Sequence, residues 1–111
     1  MTRIGDTHFI GAVVTVGNPD GLKKLCSELQ ASYTNLLVTL AANVDGKASV
    51  AVLVDDTLHN AKGLEAQKII KEQVAPLIKG GGGGQKGLAT AGGQDPSNLA
   101  LVIETVKNLL N

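Results

Sequence analysis

Scarcities set the first limits on this chain. It has one cysteine, no tryptophan, one tyrosine, one phenylalanine and three prolines in 111 residues. A lone thiol, Cys26, can form no internal disulfide and no cysteine-based zinc cluster, so packing has to hold the fold together. Phe9 and Tyr33 alone are fewer aromatic rings than single-strand binders normally use to stack bases, so among nucleic-acid binders recognition of a folded RNA through backbone and shape fits better than single-strand binding. Net charge is also missing, because ten basic and ten acidic residues cancel. No apolar run approaches the roughly 20 residues of a membrane-spanning helix. Met1 to Asp6 leads into a short strand-like run rather than a secretory signal, which predicts a cytoplasmic protein with no membrane partner.

What is present suits a single domain over residues 1–111, since 43% of the residues are hydrophobic and 18% charged. The charge is unevenly spread. Residues 61–90 carry five basic and two acidic groups, against four and six in residues 1–60. Lys62, Lys68, Lys71, Lys79 and Lys86 make up that local excess. On charge alone it reads equally as a solvated helix face.

Periodicity outlines the elements. Phe9 to Val16 is a β-branched apolar run stopped by Gly17-Asn18-Pro19, a strand. Leu22, Leu25, Cys26 and Leu29 then form one helical stripe, with Asn18 as cap and Pro19 in the first turn. Leu36 to Asn43 and Lys47 to Val54 are two strands of a hairpin turning at Asp45-Gly46. A helix is predicted over 60–78, capped by Asn60 and ended by a left-handed Gly80. The last helix opens at Asp95-Pro96 and buries Leu99, Val102, Ile103, Val106 and Leu110. The predicted class is α+β: a small, mostly antiparallel sheet with three helices packed on one face, in the order strand, helix, strand, strand, helix, glycine loop, helix. A further short strand at Leu88 to Ala91 is compatible with the pattern.

Catalytic signals are nearly absent. His8 and His59 belong to no metal-ligand spacing, Cys26 lies on an apolar stripe, and Asp55-Asp56 is a strand end whose side chains point apart. No catalytic residue and no metal ligand is assigned. The informative segment is Lys79 to Gly93, in which eight of fifteen residues are glycine. Gly80, Gly81, Gly82, Gly83 and Gly84 could turn successive amides toward one anion, or let another backbone approach closely. Lys79 and Lys86 flank the run as phosphate-neutralising charges. A free linker is the competing reading, but the helix that follows carries an apolar stripe and must return to the core. A GxGxxG match within a glycine run is trivial, and Lys86 lacks the neighbours of a P-loop.

The stretch Leu77 to Gly93, LIKGGGGGQKGLATAGG, resembles the glycine-rich motif of the C-terminal domain of alanyl-tRNA synthetases, which is shared with DHH-family phosphodiesterases. The hairpin, the Asp55-Asp56 strand end and the two later helices resemble that domain in order. The resemblance implies a non-catalytic, tRNA-binding domain detached from a larger synthetase. It would contact the outer corner of tRNA and assist aminoacylation and editing. Lys79, the five glycines, Gln85, Lys86, Gly92 and Gly93, with Lys68 and Lys71 nearby, are its candidate nucleic-acid contacts. Gln85-Lys86 stands where many relatives have Arg or His. Implied partners are alanine tRNA and the other domains of the same synthetase, with DNA, other RNA or a second copy of the chain as further candidates. No cofactor is implied here; ATP, magnesium and zinc would belong to the parent enzyme's other domains. The alternatives are a substrate-binding domain of a DHH-type phosphodiesterase or exonuclease, and a dimerisation module.

Overall fold

In the computed structural model, residues 2–4, 7–14, 20–32, 35–44, 46–56, 63–84 and 87–108 are described. Among the described residues six strands form one sheet: β1 (Thr2–Ile4), β2 (Thr7–Val13), β3 (Leu36–Val44), β4 (Lys47–Val54), β5 (Gly80–Gly84) and β6 (Leu88–Gly93). Their spatial order is β1-β2-β3-β4-β6-β5. Only β2 and β3 run parallel, and the connection between them contains helix α1 (Asp20–Ser32), as a crossover requires. Helix α2 follows β4 in three continuous pieces, Ala66–Ile69, Ile70–Val74 and Ala75–Ile78. Helix α3 (Leu99–Asn108) closes the domain after a 3-10 turn at Pro96–Asn98.

The expectation of helices on one face is overturned. β3 and β4 are buried along almost their whole length, and strands buried on both faces need cover on both. One face carries Phe9, Leu37, Ala41, Val50, Val52 and Val54 against Ile69, Ile70, Val74 and Ile78 of α2 and Leu99, Val102 and Val106 of α3. The other carries Leu36, Val38, Leu40, Ala51 and Leu53 against Leu22 and Cys26 of α1. Burial drives the Cys26 thiol up to a pKa of about 11, so it is a packing group and not a nucleophile. Thr39, fully buried in the first of these layers, has a hydroxyl with no hydrogen-bond partner.

The hairpin forms as the Asp-Gly signal predicts. Gly46 takes a φ of 82°, and its N–H donates to Asn43 Oδ1 at 2.9 Å. At the other end of β3, Asp55 Oδ2 accepts from the Asn35 N–H at 2.8 Å, so this carboxylate secures a strand end. Asp95 caps the final helical segment, accepting from the Ser97 N–H at 2.9 Å.

Helix α2 differs from expectation at both ends. Among the described residues it begins at Ala66, with no side-chain cap from Glu65; Asn60, Asn18, Pro19, Asp45, His59, Lys62 and Leu110 lie outside the described residues. Its middle widens into a π turn, where the Ala75 N–H donates to the Ile70 carbonyl. Pro76 in the next turn has no N–H and would crowd a regular α-helical carbonyl, which accounts for the widening. The left-handed terminal residue is Lys79, at φ 53° and ψ 53°, rather than Gly80.

Candidate nucleic-acid interface

The five glycines form no loop. Gly80–Gly84 is an extended edge strand paired antiparallel with β6, in register Gly80 with Gly93, Gly82 with Ala91 and Gly84 with Ala89. Neighbouring amides of a strand point in opposite directions, so the expected convergence of successive N–H groups on one anion does not occur. The close-approach reading survives, and geometry divides the run in two. A Cβ on Gly82 would run into the Thr90 carbonyl oxygen and lie 2.6 Å from Ala91 Cα. One on Gly80 would collide with the Gly92 carbonyl, and one on Gly84 would lie 2.6 Å from the Leu88 oxygen. Gly93 is equally constrained, by the Ile78 carbonyl. Around Gly81 and Gly83, by contrast, a Cβ would meet nothing within 4 Å. The fold therefore needs three of the five glycines and leaves two open.

Alternation puts Gly81 and Gly83 on the α1 face of the sheet. Their ladder partners there are Gly92 and Thr90 of β6, which pair in turn with Ser49 and Ala51 of β4. No side chain in this patch is larger than threonine, so it forms the floor of a trough. The middle of the trough, about 360 Å³, is walled by Leu22 of α1 and lined by Ser49, Gly81, Gly82, Gly83, Thr90 and Gly92. One end, about 340 Å³, adds Lys23 and Gly84. The other, about 400 Å³, adds Val44, Lys47, Lys79, Gly80 and Gly93. Lysines thus stand at both ends, and none of these lining residues is acidic. A chain with no net charge presents here, among the described residues, a lining whose charged side chains are all lysines.

Lys79 reaches the trough from its left-handed junction between α2 and β5. Beside it, Asp95 is held below the usual carboxylate range by hydrogen bonds from the Ser97 hydroxyl and backbone N–H, and further by the positive charge of Lys79. It therefore stays ionised and offsets part of that charge.

Of the residues singled out in the sequence, the structure gathers Lys79, Gly80, Gly81, Gly82, Gly83, Gly84, Gly92 and Gly93 along one trough. Gln85 and Lys86 lie outside the described residues. Lys68 and Lys71 do not join the site. Both are exposed on α2, which covers the opposite face of the sheet, and Lys68 Nζ lies 3.6 Å from Glu65 Oε2. Sequence reasoning missed Lys23, Lys47, Ser49 and Thr90. The register of β4, β6 and β5 brings Lys47, Ser49 and Thr90 beside the glycines, and the packing of α1 brings Lys23. Among the described residues, no group of three or more His, Cys, Asp or Glu side chains could hold a metal ion, and no helix is long and apolar enough to cross a membrane.

Known proteins resemble this chain over nearly its whole length. The family model described as "DHHA1 domain" matches residues 6–111. The alanine–tRNA ligase of Cytophaga hutchinsonii is 40% identical over 110 residues, covering 99% of this chain and 12% of the relative. That of Lacticaseibacillus paracasei is 32% identical over 109 residues, covering 98% and 12%. The chain thus spans about one eighth of the length of these curated relatives. Among solved structures, the C-Ala domain from Aquifex aeolicus alanyl-tRNA synthetase superposes with a TM-score of 0.86 at 26% identity, covering 98% of this chain and 96% of that one. The α+β fold is therefore that of the C-Ala domain, and with the family model matched from residue 6 to the end, the chain belongs to the DHHA1 domain family.

Proposed function

We propose that this chain is the non-catalytic, tRNA-binding C-terminal domain of an alanine–tRNA ligase, which contacts the outer corner of alanine tRNA so that aminoacylation and editing act on one bound molecule. The observation that carries the reading is the pair Gly81 and Gly83. A glycine inside a strand costs about 0.5–1 kcal/mol relative to alanine, and here no neighbour among the described residues demands it. A close-approaching ligand supplies the reason, and the lysines at both ends of the trough suit a phosphodiester backbone. Such contacts recognise the shape and charge of a folded RNA rather than its bases. The other domains of the synthetase, with their ATP, magnesium and zinc, would supply the chemistry, and the cytoplasm is the matching location. The identities of the relatives favour a ligase parent over a phosphodiesterase.

Fluorescence anisotropy with alanine tRNA, a non-cognate tRNA and duplex DNA across a salt series tests the reading. Three lysine contacts predict a slope of log K against log salt of about −2 to −3. A Lys47→Ala/Lys79→Ala double variant should flatten it by about two contacts, or roughly 1.4–1.8. Absence of binding at low salt, or an unchanged slope in the double variant, would overturn the assignment of the trough.

A further inference from the structure

The trough is not uniform along its length. Its three compartments share residues in a definite order: Ser49 and Gly92 lie where the middle meets the Lys47 and Lys79 end, and Thr90 and Gly83 where it meets the Lys23 end. Reading along it, charge gives way to hydroxyl, then to bare glycine, then to hydroxyl and charge again. Ser49 pairs with Gly92, and Ala51 with Thr90. The two hydroxyl side chains therefore stand on the same face of adjacent strands, on the diagonal, with a separation of about 7 Å. Ser49 is almost completely buried, so its position is set by the sheet and not by a mobile rotamer on an open surface.

An RNA strand offers a matching order, two flanking phosphates around two sugars that each carry a 2′-hydroxyl able to donate and accept, with the phosphate between those sugars over the bare glycines. Resting on the tRNA-binding reading above, we propose that Ser49 and Thr90 form a ribose-reading pair, their hydroxyls hydrogen-bonding 2′-hydroxyls of consecutive sugars while Lys23 at one end and Lys47 with Lys79 at the other hold the flanking phosphates. The lysines attract any phosphodiester. The hydroxyl pair selects RNA from DNA, because only RNA gives it a partner, and a deoxyribose strand in the same place leaves a nearly buried serine hydroxyl unmatched. The bare floor at Gly81 and Gly83 lets the sugars come down to that depth.

The test compares one stem-loop made as RNA and as DNA, at fixed salt, against the wild-type domain, Ser49→Ala, Thr90→Val and the double variant, with melting temperature as a fold control. The expected result is RNA bound about tenfold more tightly than DNA, within the net worth of two hydrogen bonds. The double variant should lose that preference, its RNA affinity falling about tenfold further than its DNA affinity. Equal binding of both polymers by the wild type, or equal loss of both in the variant, overturns the ribose-reading pair and leaves the tRNA-binding reading standing. If the wild type binds neither, that reading fails and the pair falls with it. A second measurement needs no variant: single 2′-deoxy substitutions scanned through the RNA should weaken wild-type binding at one short run of consecutive nucleotides. Loss at no position, or equally at all, rejects the pair.

Discussion

The opposite demands on neighbouring glycines of β5 can be tested by an alanine scan through the strand. At Gly82 an added methyl group would overlap the Thr90 carbonyl and sit 2.6 Å from Ala91 Cα, where carbon atoms normally rest about 3.5–4.0 Å apart. About 1 Å of backbone displacement is needed, and overpacking of this kind costs about 1–3 kcal/mol. The stiffer unfolded chain returns about 0.4–1 kcal/mol, leaving a net destabilisation of roughly 1–2 kcal/mol. At Gly81 and Gly83 the clash is absent, so only the favourable term of about 0.4–1 kcal/mol remains. For a domain of this size, each kcal/mol moves the melting temperature by about 4 °C. Gly82→Ala should therefore melt about 4–8 °C below wild type, and Gly81→Ala and Gly83→Ala about 2–4 °C above it. Thermal melts by circular dichroism, with urea titrations for the free energies, measure this directly. Gly81→Ala and Gly83→Ala should weaken tRNA binding even as they raise stability. Equal melting changes at positions 81 and 82 would refute the steric argument, and undiminished tRNA affinity in Gly81→Ala would refute the ligand argument.

Three further outcomes are expected. Thr39→Val removes a buried hydroxyl that has no partner at nearly constant volume, and should raise the unfolding free energy by about 1 kcal/mol in urea titrations. Lys79→Gly relieves a left-handed residue and should stabilise the domain by about 1 kcal/mol, while weakening tRNA binding and flattening its salt slope by about one contact; a melting temperature below wild type contradicts this. Cys26 should resist thiol reagents in the native state. Because folding raises its pKa from 9.0 to about 11, its contribution is intact below pH 9 and fades as pH rises toward 11, where the unfolded chain gains more by ionising. Cys26→Ala should lack that part of the alkaline loss, at most about 2–3 kcal/mol for a shift of this size.

The legible parts of the fold were those written in side chains. The stripe through Leu22, Leu25, Cys26 and Leu29 marks α1, Asp45-Gly46 marks the hairpin, and Asp95-Pro96 marks the last helix. The two-sided cover was also written, in the mostly apolar runs of β3 and β4, which show no alternation of apolar and polar residues. β5 was illegible for a physical reason: a run of glycine has no apolar alternation and an unfavourable strand propensity, so β6 and α2 impose its conformation. The site divides in the same way. The glycines and Lys79 stand together in the sequence, whereas Lys23, Lys47, Ser49 and Thr90 reach the trough through α1 packing and sheet register, which no local spacing encodes.

The position of β6 between β4 and β5 leaves β5 at the edge of the sheet, joined to it through β6. β5 precedes β6 in the chain yet lies outside it, so during synthesis the glycine strand emerges before β6, its strand partner among the described residues, and stays unpaired until residues 88–93 follow. Held to the sheet along one edge and lacking side chains to anchor it, β5 is expected to open before the inner strands. Local opening can then release part of the trough floor while the rest of the sheet stays folded. In hydrogen exchange, the β5 amides should form a separate unit of low protection, and RNA bound across β5 and β6 should slow that unit before any other part of the domain.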